Sequence, residues 1–447
     1  MSSLQPHSYV AAIPILPQET FELIIDELSN SAETLASCSL VRRSWLPRSR
    51  HHLFRHIALN VIDQDALDTG LGMSRLATNK HMPRCVSANE FTTSFSNPNI
   101  VACVRGLSLN ITYPQSPPVT RTTGKQGNDP TEPSIPHTIP FTQLRFLSIC
   151  CGDIEIVDTK DFRLKRLMSI IRCNPYIEHV SLNSVQIDSG PWQMLLSCVA
   201  VRAKMLKTLV VNGIGDVHWR SGWVDGRIGQ DPESRTTNHL NSLNGRKQPV
   251  VERMCIASCS PNKIGYVARQ FDLSQMRSLA LLDIDTRSCI KILKGCSEAL
   301  WHLTLDFSST SAREYTQSGV SESLSKVSVL QLLLSKIEDL EQLLQFLSLA
   351  SSCTICRVVR LYLDFEESPS LMSSQNTSPQ TALSRFLQLV PSVQKVIISV
   401  GAMGLESSRR LYKGRSERLS MHDVFPALIG EGIVEMGQPE QWWKESI

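Results

Sequence analysis

Ten short apolar runs, each about as long as one β-strand, recur along this chain of 447 residues, with helix-period segments between many of them. They include VRGLSLNI (104–111), LRFLSIC (144–150), LKTLVVNGI (206–214), MRSLALLDI (276–284), LWHLTLDF (300–307) and VQKVIISV (393–400). Among the intervening segments, Phe162 to Ile171, Trp192 to Met205, Ile264 to Phe271, Ile290 to Leu300 and Ile337 to Leu349 repeat their apolar residues every three or four positions, the period of an amphipathic helix. A strand followed by a helix before the next strand must cross over, which favours parallel pairing. Leu107 with Leu109, Leu279 with Leu281 and Leu303 with Leu305 alternate as residues on one strand face do. The fold class expected is therefore mixed α/β.

Units of roughly 20–30 residues that join an apolar strand to a returning helix resemble leucine-rich repeats, in which each unit buries its face only against its neighbours. That likeness implies an irregular solenoid over residues 100–403. The spacing varies, and an asparagine at the offset expected after the strand occurs only in places, as at Asn183 and Asn212. An ordinary α/β domain around a parallel sheet predicts the same local alternation, and both architectures remain open at this point. Insertions at 112–140, 215–250, 308–326 and 366–381 are rich in Pro, Thr, Gly, Asn or Ser, too polar to repay ordering by burial, and read as surface loops. Residues 57–99 read as a connecting, mainly helical segment that opens with the strand-like HIALNVI, and residues 404–447 as a cap or tail carrying a basic run from Arg409 to Arg418.

The N-terminal stretch has a different texture. After a flexible lead-in of residues 1–15, Leu16-Pro17 opens a helix, because proline at a first helical position gives up no intrahelical bond. Phe21, Ile24, Ile25 and Leu28 then fall on one face, opposite Glu19, Glu22, Asp26 and Glu27. Ser29-Asn30-Ser31 breaks the pattern, and Leu35, Cys38, Ser39 and Val41 mark a second helix ending at Arg42-Arg43, cations that suit a helix C-terminus. A third helix is expected from Ser44 as N-cap, with Trp45, Leu46 and Pro47 in its first turn. A unit this small rarely folds stably alone, so an apolar face should remain for something else to cover.

Leu16-Pro17, Glu19, Ile24, Leu28, Leu35, Ser39, Val41 and Trp45 are spaced as in an F-box, and SLVRRSWLPRSRHHLF is similar in particular to F-box proteins of mushroom-forming basidiomycete fungi. Ser44 and Pro47 depart from the commonest pattern around the tryptophan. The resemblance places the box at 16–56 and implies docking to a Skp-type adaptor and, through it, a cullin-based ubiquitin ligase. Leu16, Pro17, Ile24, Leu28, Leu35, Val41 and Trp45 are then the residues that face the adaptor or lock the helices that do. The repeat-like region would hold an unidentified target protein, and a non-degradative protein-binding scaffold is the alternative.

Other features are weighed against this reading. A formal net charge of +3 is too small at this length to argue for nucleic acid or an anionic membrane. The N-terminus lacks the pattern of a secretory signal, and no window approaches the ~18–20 apolar residues that span a bilayer, so a cytoplasmic or nuclear location is expected. Thirteen cysteines, an odd count scattered mostly through apolar runs, read as reduced core thiols. Cys353 and Cys356 have CxxC spacing but no second ligand pair nearby, so no metal site is expected. Arg48, Arg50, His51, His52, Arg55 and His56 form a basic patch, either solvated or steering an acidic partner. Trp219 and Trp223, in an otherwise polar insertion, are candidate substrate contacts or pins for that loop. Serines before proline at 116, 368 and 378 are candidate phosphorylation sites. No GxSxG, HExxH, GxxxxGK[ST] or GxGxxG motif occurs, so neither an enzyme nor a cofactor is expected.

Overall fold

The computed structural model describes residues 17–62, 85–87, 97–112, 141–151, 155–215, 248–296, 299–306, 327–334, 357–363, 384, 387–388, 392–400 and 434–436. Helices α1 (Gln18–Glu27), α2 (Ala32–Val41) and α3 (Leu46–Leu53) open the chain and are followed by β1 (His56–Ile62), β2 (Cys85–Ser87), α4 (Pro98–Val101), β3 (Gly106–Thr112) and β4 (Phe146–Cys151). A regular alternation comes next: β5 (Glu155–Ile156), α5 (Phe162–Cys173), β6 (His179–Asn183), β7 (Gln186–Ile187), α6 (Ser189–Arg202), β8 (Thr208–Asn212), β9 (Arg253–Ala257), α7 (Pro261–Gln270), β10 (Ser278–Leu282), α8 (Thr286–Gly295) and β11 (His302–Asp306). Strands β12 (Val329–Leu334), β13 (Val358–Leu363), β14 (Lys395–Val400) and β15 (Val434–Met436) complete the described elements.

Thirteen of these strands form one open sheet in the order β2-β1-β3-β4-β6-β8-β9-β10-β11-β12-β13-β14-β15. Every pairing is parallel, and from β3 onward each strand is added beside its predecessor in the sheet. A smaller parallel pair joins β5 to β7. The protein is thus mixed α/β around a large parallel sheet, with eight helices among the described residues. The strand expected at HIALNVI is β1 and lies in the sheet, next to its edge strand β2. The 57–99 segment supplies β1 and β2 rather than only helical connection, and β15 lies within 404–447.

Register explains the core. Ile57, Leu107, Leu147, Val180, Leu209, Met254, Leu279 and Leu303 are aligned across successive strands and are all buried. The same face two residues on carries Leu59, Leu109, Ile149, Leu182, Val211, Ile256, Leu281 and Leu305, since side chains alternate with a period of two. These rows share one cluster with Leu164, Leu167 and Ile171 of α5, Trp192, Leu195 and Val199 of α6, Ile264 and Val267 of α7, and Ile292 and Leu293 of α8. Each buried leucine contributes about 1.5–3 kcal/mol relative to leaving it in water. The other face is buried at its centre as well: Val210, Cys255, Ala257, Ala280, Leu282 and Leu333 form a second cluster, and β10 is buried at all five positions. Its run SLALL is apolar almost throughout, as strands buried on both faces are.

Backbone geometry repeats where the sequence does not. After β6, β8, β9 and β10 the chain turns through Ser184, Gly213, Ser258 and Asp283, all with positive φ. The N–H groups of the first three donate to Asn212, Ala257 and Leu282 carbonyls on the next strand, and that of Asp283 to the Asp306 carboxylate. At the opposite ends of the strands, one carbonyl accepts from two successive N–H groups of its neighbour: Arg55 O from Arg105 and Gly106, Arg105 O from Arg145 and Phe146, Arg145 O from Glu178 and His179, and so on to Arg357 O from Gln394 and Lys395.

Helix limits differ from the periodicity in instructive ways. Helix α8 begins at Thr286, not Ile290, because the Asp285 side chain accepts from Ser288 N and starts the helix a turn earlier, and it ends at Gly295. Helix α6 begins at Ser189 with Pro191 in its first turn and ends at Arg202. Helix α3 begins at Leu46 with Trp45, not Ser44, at the N-cap and with no side-chain cap bond, while Pro47 occupies the first turn. The expected helix Ile337–Leu349, the greater part of all four insertions, the Arg409–Arg418 run, Cys353, Cys356 and the three serines before proline lie outside the described residues. Among the described residues no helix is long and apolar enough to cross a membrane.

Candidate docking face

The three N-terminal helices are held to one another by a few specific contacts. Ile25 of α1 and Leu35 of α2 are each only 1% exposed. Phe21 packs against Trp45 with ring centroids 4.9 Å apart. Ser31 caps α2, accepting from Thr34 N at 3.4 Å, which satisfies one of the unpaired amides of a first turn. Asp26 ties α1 to α3: its carboxylate accepts from Arg48 Nε and Nη2, both at 2.5 Å, and meets His52 Nε2 at 2.8 Å. The Arg48 guanidinium, then His52, hold the Asp26 carboxyl well below the usual carboxylate range, and the same bond raises Arg48. Phe54, just past α3, packs against the main core and links this unit to the sheet.

These contacts leave four large apolar side chains outside. Leu23 is 66% exposed and Ile24 46% on α1, and Leu40 is 87% exposed and Val41 67% at the end of α2. Pro17 is exposed beside them in sequence. Both helices pack on α3 rather than covering these side chains, and exposed apolar groups of this kind are a candidate interaction surface.

The expected docking residues therefore divide. Pro17, Ile24 and Val41 present accessible surface, Leu28 and Trp45 are half-buried, and Leu35 is an internal lock. Leu16, Trp219 and Trp223 lie outside the described residues. Leu23 and Leu40 were not singled out by periodicity, although both carry a signal: each is a leucine off the i, i+3, i+4 face of its helix. The role of Asp26 was also missed, since its partners lie 22 and 26 residues away.

The basic patch is likewise resolved into parts. Arg48 and His52 are engaged with Asp26. The His56 ring lies across Gly106, where a Cβ would clash with its Nδ1, and makes an edge contact with Phe146 at 5.9 Å. Burial, then the charges of His52, Arg48, Arg55 and Arg105, push the His51 pKa down. Phe146 also stacks on His179 at 4.6 Å and 18°. His179 is 7% exposed, its Nε2 is buried without a hydrogen-bond partner, and burial lowers its pKa to about 4.

Buried thiols behave as core groups. Burial pushes Cys151, Cys259 and Cys296 up to about 12 and Cys255 higher still. Among the described residues no group of three His, Cys, Asp or Glu side chains is placed to hold a metal ion. Compared with protein-family models and with curated proteins, the chain matches none.

Proposed function

We propose that this chain is the substrate-recognition adaptor of a Skp-cullin-F-box type ubiquitin ligase. In this reading α1–α3 are an F-box that docks a Skp-type adaptor, and the sheet with its helices is a degenerate leucine-rich-repeat-like array that holds a target protein. The observation that carries it is the exposure of the apolar side chains Leu23, Ile24, Leu40 and Val41 on a three-helix unit held together by buried Ile25 and Leu35, the Phe21–Trp45 contact and the Asp26–Arg48 pair. The strand order supports the array: a strand added beside its predecessor, unit after unit, is how a solenoid grows. The order reverses once, at β2-β1-β3, before the successive additions from β3 onward begin.

No catalytic residue is assigned to this chain. Its contribution is proximity, since tethering a target beside the ubiquitin-transferring subunits raises effective concentration without new chemistry. The test is titration calorimetry of the full chain with a purified Skp adaptor, using Ile24→Ser/Leu40→Ser/Val41→Ser. Because the three side chains are exposed, circular dichroism and thermal unfolding should be unchanged while affinity falls at least about a hundredfold, or ~3 kcal/mol. Undiminished binding by this variant, or no binding by the wild-type chain, rules out the docking assignment.

A further inference from the structure

The residues that precede each strand form a line along one rim of the sheet. Their carbonyls accept from the paired N–H groups of the next strand, so a partner would meet their side chains, of which Arg105 is turned back to donate to the Ala102 and Val104 carbonyls. Reading across the sheet from β1, this line carries the cations Arg55, Arg105, Arg145, Lys207, Arg277 and Arg357. Two carboxylates interrupt it, Glu178 and Glu252, and Glu178 is shared between Arg145 at 3.4 Å and Lys207 at 3.0 Å. Arg55, Arg145, Lys207, Arg277 and Arg357 are exposed, and the Arg145 and Lys207 side chains are 67% and 51% accessible. Trp301 occupies the same line after Arg277 and is 50% exposed.

Six cations against two carboxylates on one rim is a local excess larger than the net charge of +3 carried by the whole chain. Periodicity cannot reveal it, because the residues are scattered over some three hundred positions and only parallel in-register pairing lines them up, about 4.8 Å apart. We propose that this rim is a binding surface for an acidic, extended polypeptide segment, with Trp301 receiving an apolar side chain from it. An extended chain presents one side chain on a given side every ~6.8 Å, so about two of them meet every three strands. Such a chain can place Asp or Glu against the arginines and neutral residues against Glu178 and Glu252. A nucleic-acid strand carries a phosphate at every step and would bring some of them against those carboxylates. An exposed indole between Arg277 and Ser328 on the line, with Arg357 one strand further, fits a peptide anchor, the residue type that dominates interface energy. The inference is independent of the docking face on α1 and α2.

The test is fluorescence anisotropy of the full chain with a labelled peptide that interleaves glutamate with occasional leucine, at about 0.05 M and about 0.2 M salt. The variant Arg55→Gln/Arg145→Gln/Arg277→Gln/Arg357→Gln removes exposed cations of the rim. A control, Lys160→Gln/Lys165→Gln/Arg287→Gln/Lys291→Gln, removes the same charge from exposed positions off the rim. The rim variant should bind the peptide at least about tenfold more weakly with a flatter salt dependence, the control should bind within about twofold of wild type, and Trp301→Ala should lose about tenfold at either salt. Equal losses in rim variant and control, or wild-type affinity in the rim variant, overturn the proposal. So does tighter binding of a single-stranded oligonucleotide of equal charge, which would assign the rim to nucleic acid.

Discussion

Acidification should unfold this protein through His179 before its carboxylates are affected. The imidazole stacks on the Phe146 ring of the adjacent strand, 7% exposed, with Nε2 buried and unpartnered, so protonation would bury a charge with nothing to accept its new proton. Burial lowers its pKa from 6.5 to about 4, and at ~1.36 kcal/mol per pH unit the difference corresponds to about 3 kcal/mol. The sign follows from proton counting. Between pH 6.5 and about 4 the unfolded chain binds the proton and the folded chain does not, so folding stability falls as pH falls through this window and is fully present above it. The perturbation that isolates this effect is His179→Phe, which keeps a ring against Phe146 and cannot titrate. Urea unfolding of both proteins at a series of pH values should give a wild-type stability that drops by about 3 kcal/mol relative to the variant, a midpoint shift of 1 M or more at an m-value of ~1–3 kcal/mol per M. A difference between the two proteins that stays within about 0.5 kcal/mol across the window would refute the argument from burial.

Four further outcomes are expected. Leu303→Ala, on the aligned core row, should cost about 2–5 kcal/mol in urea unfolding, because the packed neighbours cannot fully close the cavity. Arg48→Ala should cost no more than about 1 kcal/mol, since Arg48 and Asp26 are 40% and 32% exposed, and high salt should shrink the loss; the Asp26 contribution, present above the unfolded carboxylate pKa, should disappear only as pH falls through its depressed folded value. Ser184→Gly should stabilise by up to about 1 kcal/mol in thermal unfolding, because φ is 53° there and a left-handed side-chain-bearing residue is strained. In the native state, among the described cysteines, a thiol-reactive probe should label the exposed Cys173 before Cys151, Cys255, Cys259 and Cys296, which should stay unreacted until unfolding, as thiolate rather than thiol is the nucleophile.

Much of the scaffold was legible in the chain. Strand-like runs such as MRSLALLDI and LWHLTLDF became β10 and β11, and the alternating pairs Leu279/Leu281 and Leu303/Leu305 face the core as their spacing requires. Helix starts were less legible when the signal was a cap rather than a face. Asp285 fixes the start of α8 through one hydrogen bond to Ser288 N, and a single polar residue adds nothing to an apolar period. In the N-terminal unit, periodicity located the first two helices and turn chemistry the third, but neither could rank their residues. Leu35 and Val41 have the same apolar character in sequence, yet one is 1% exposed and the other 67%, because which side of α2 meets α3 depends on the angle at which they pack.

The sequence by itself determined the strand–helix alternation from β3 onward and the N-terminal helices, which follow from local spacing and from turn and cap chemistry. Only the tertiary structure decided what those elements bring together. The Asp26 clasp, the His179–Phe146 stack and the rim of Arg55, Arg145, Arg277 and Arg357 join residues separated by between 22 and about 300 positions. The physical reason is that strand register and helix packing are long-range choices, made by the summed burial of a whole face, so a residue's neighbours on a surface are set by elements far from it in the chain.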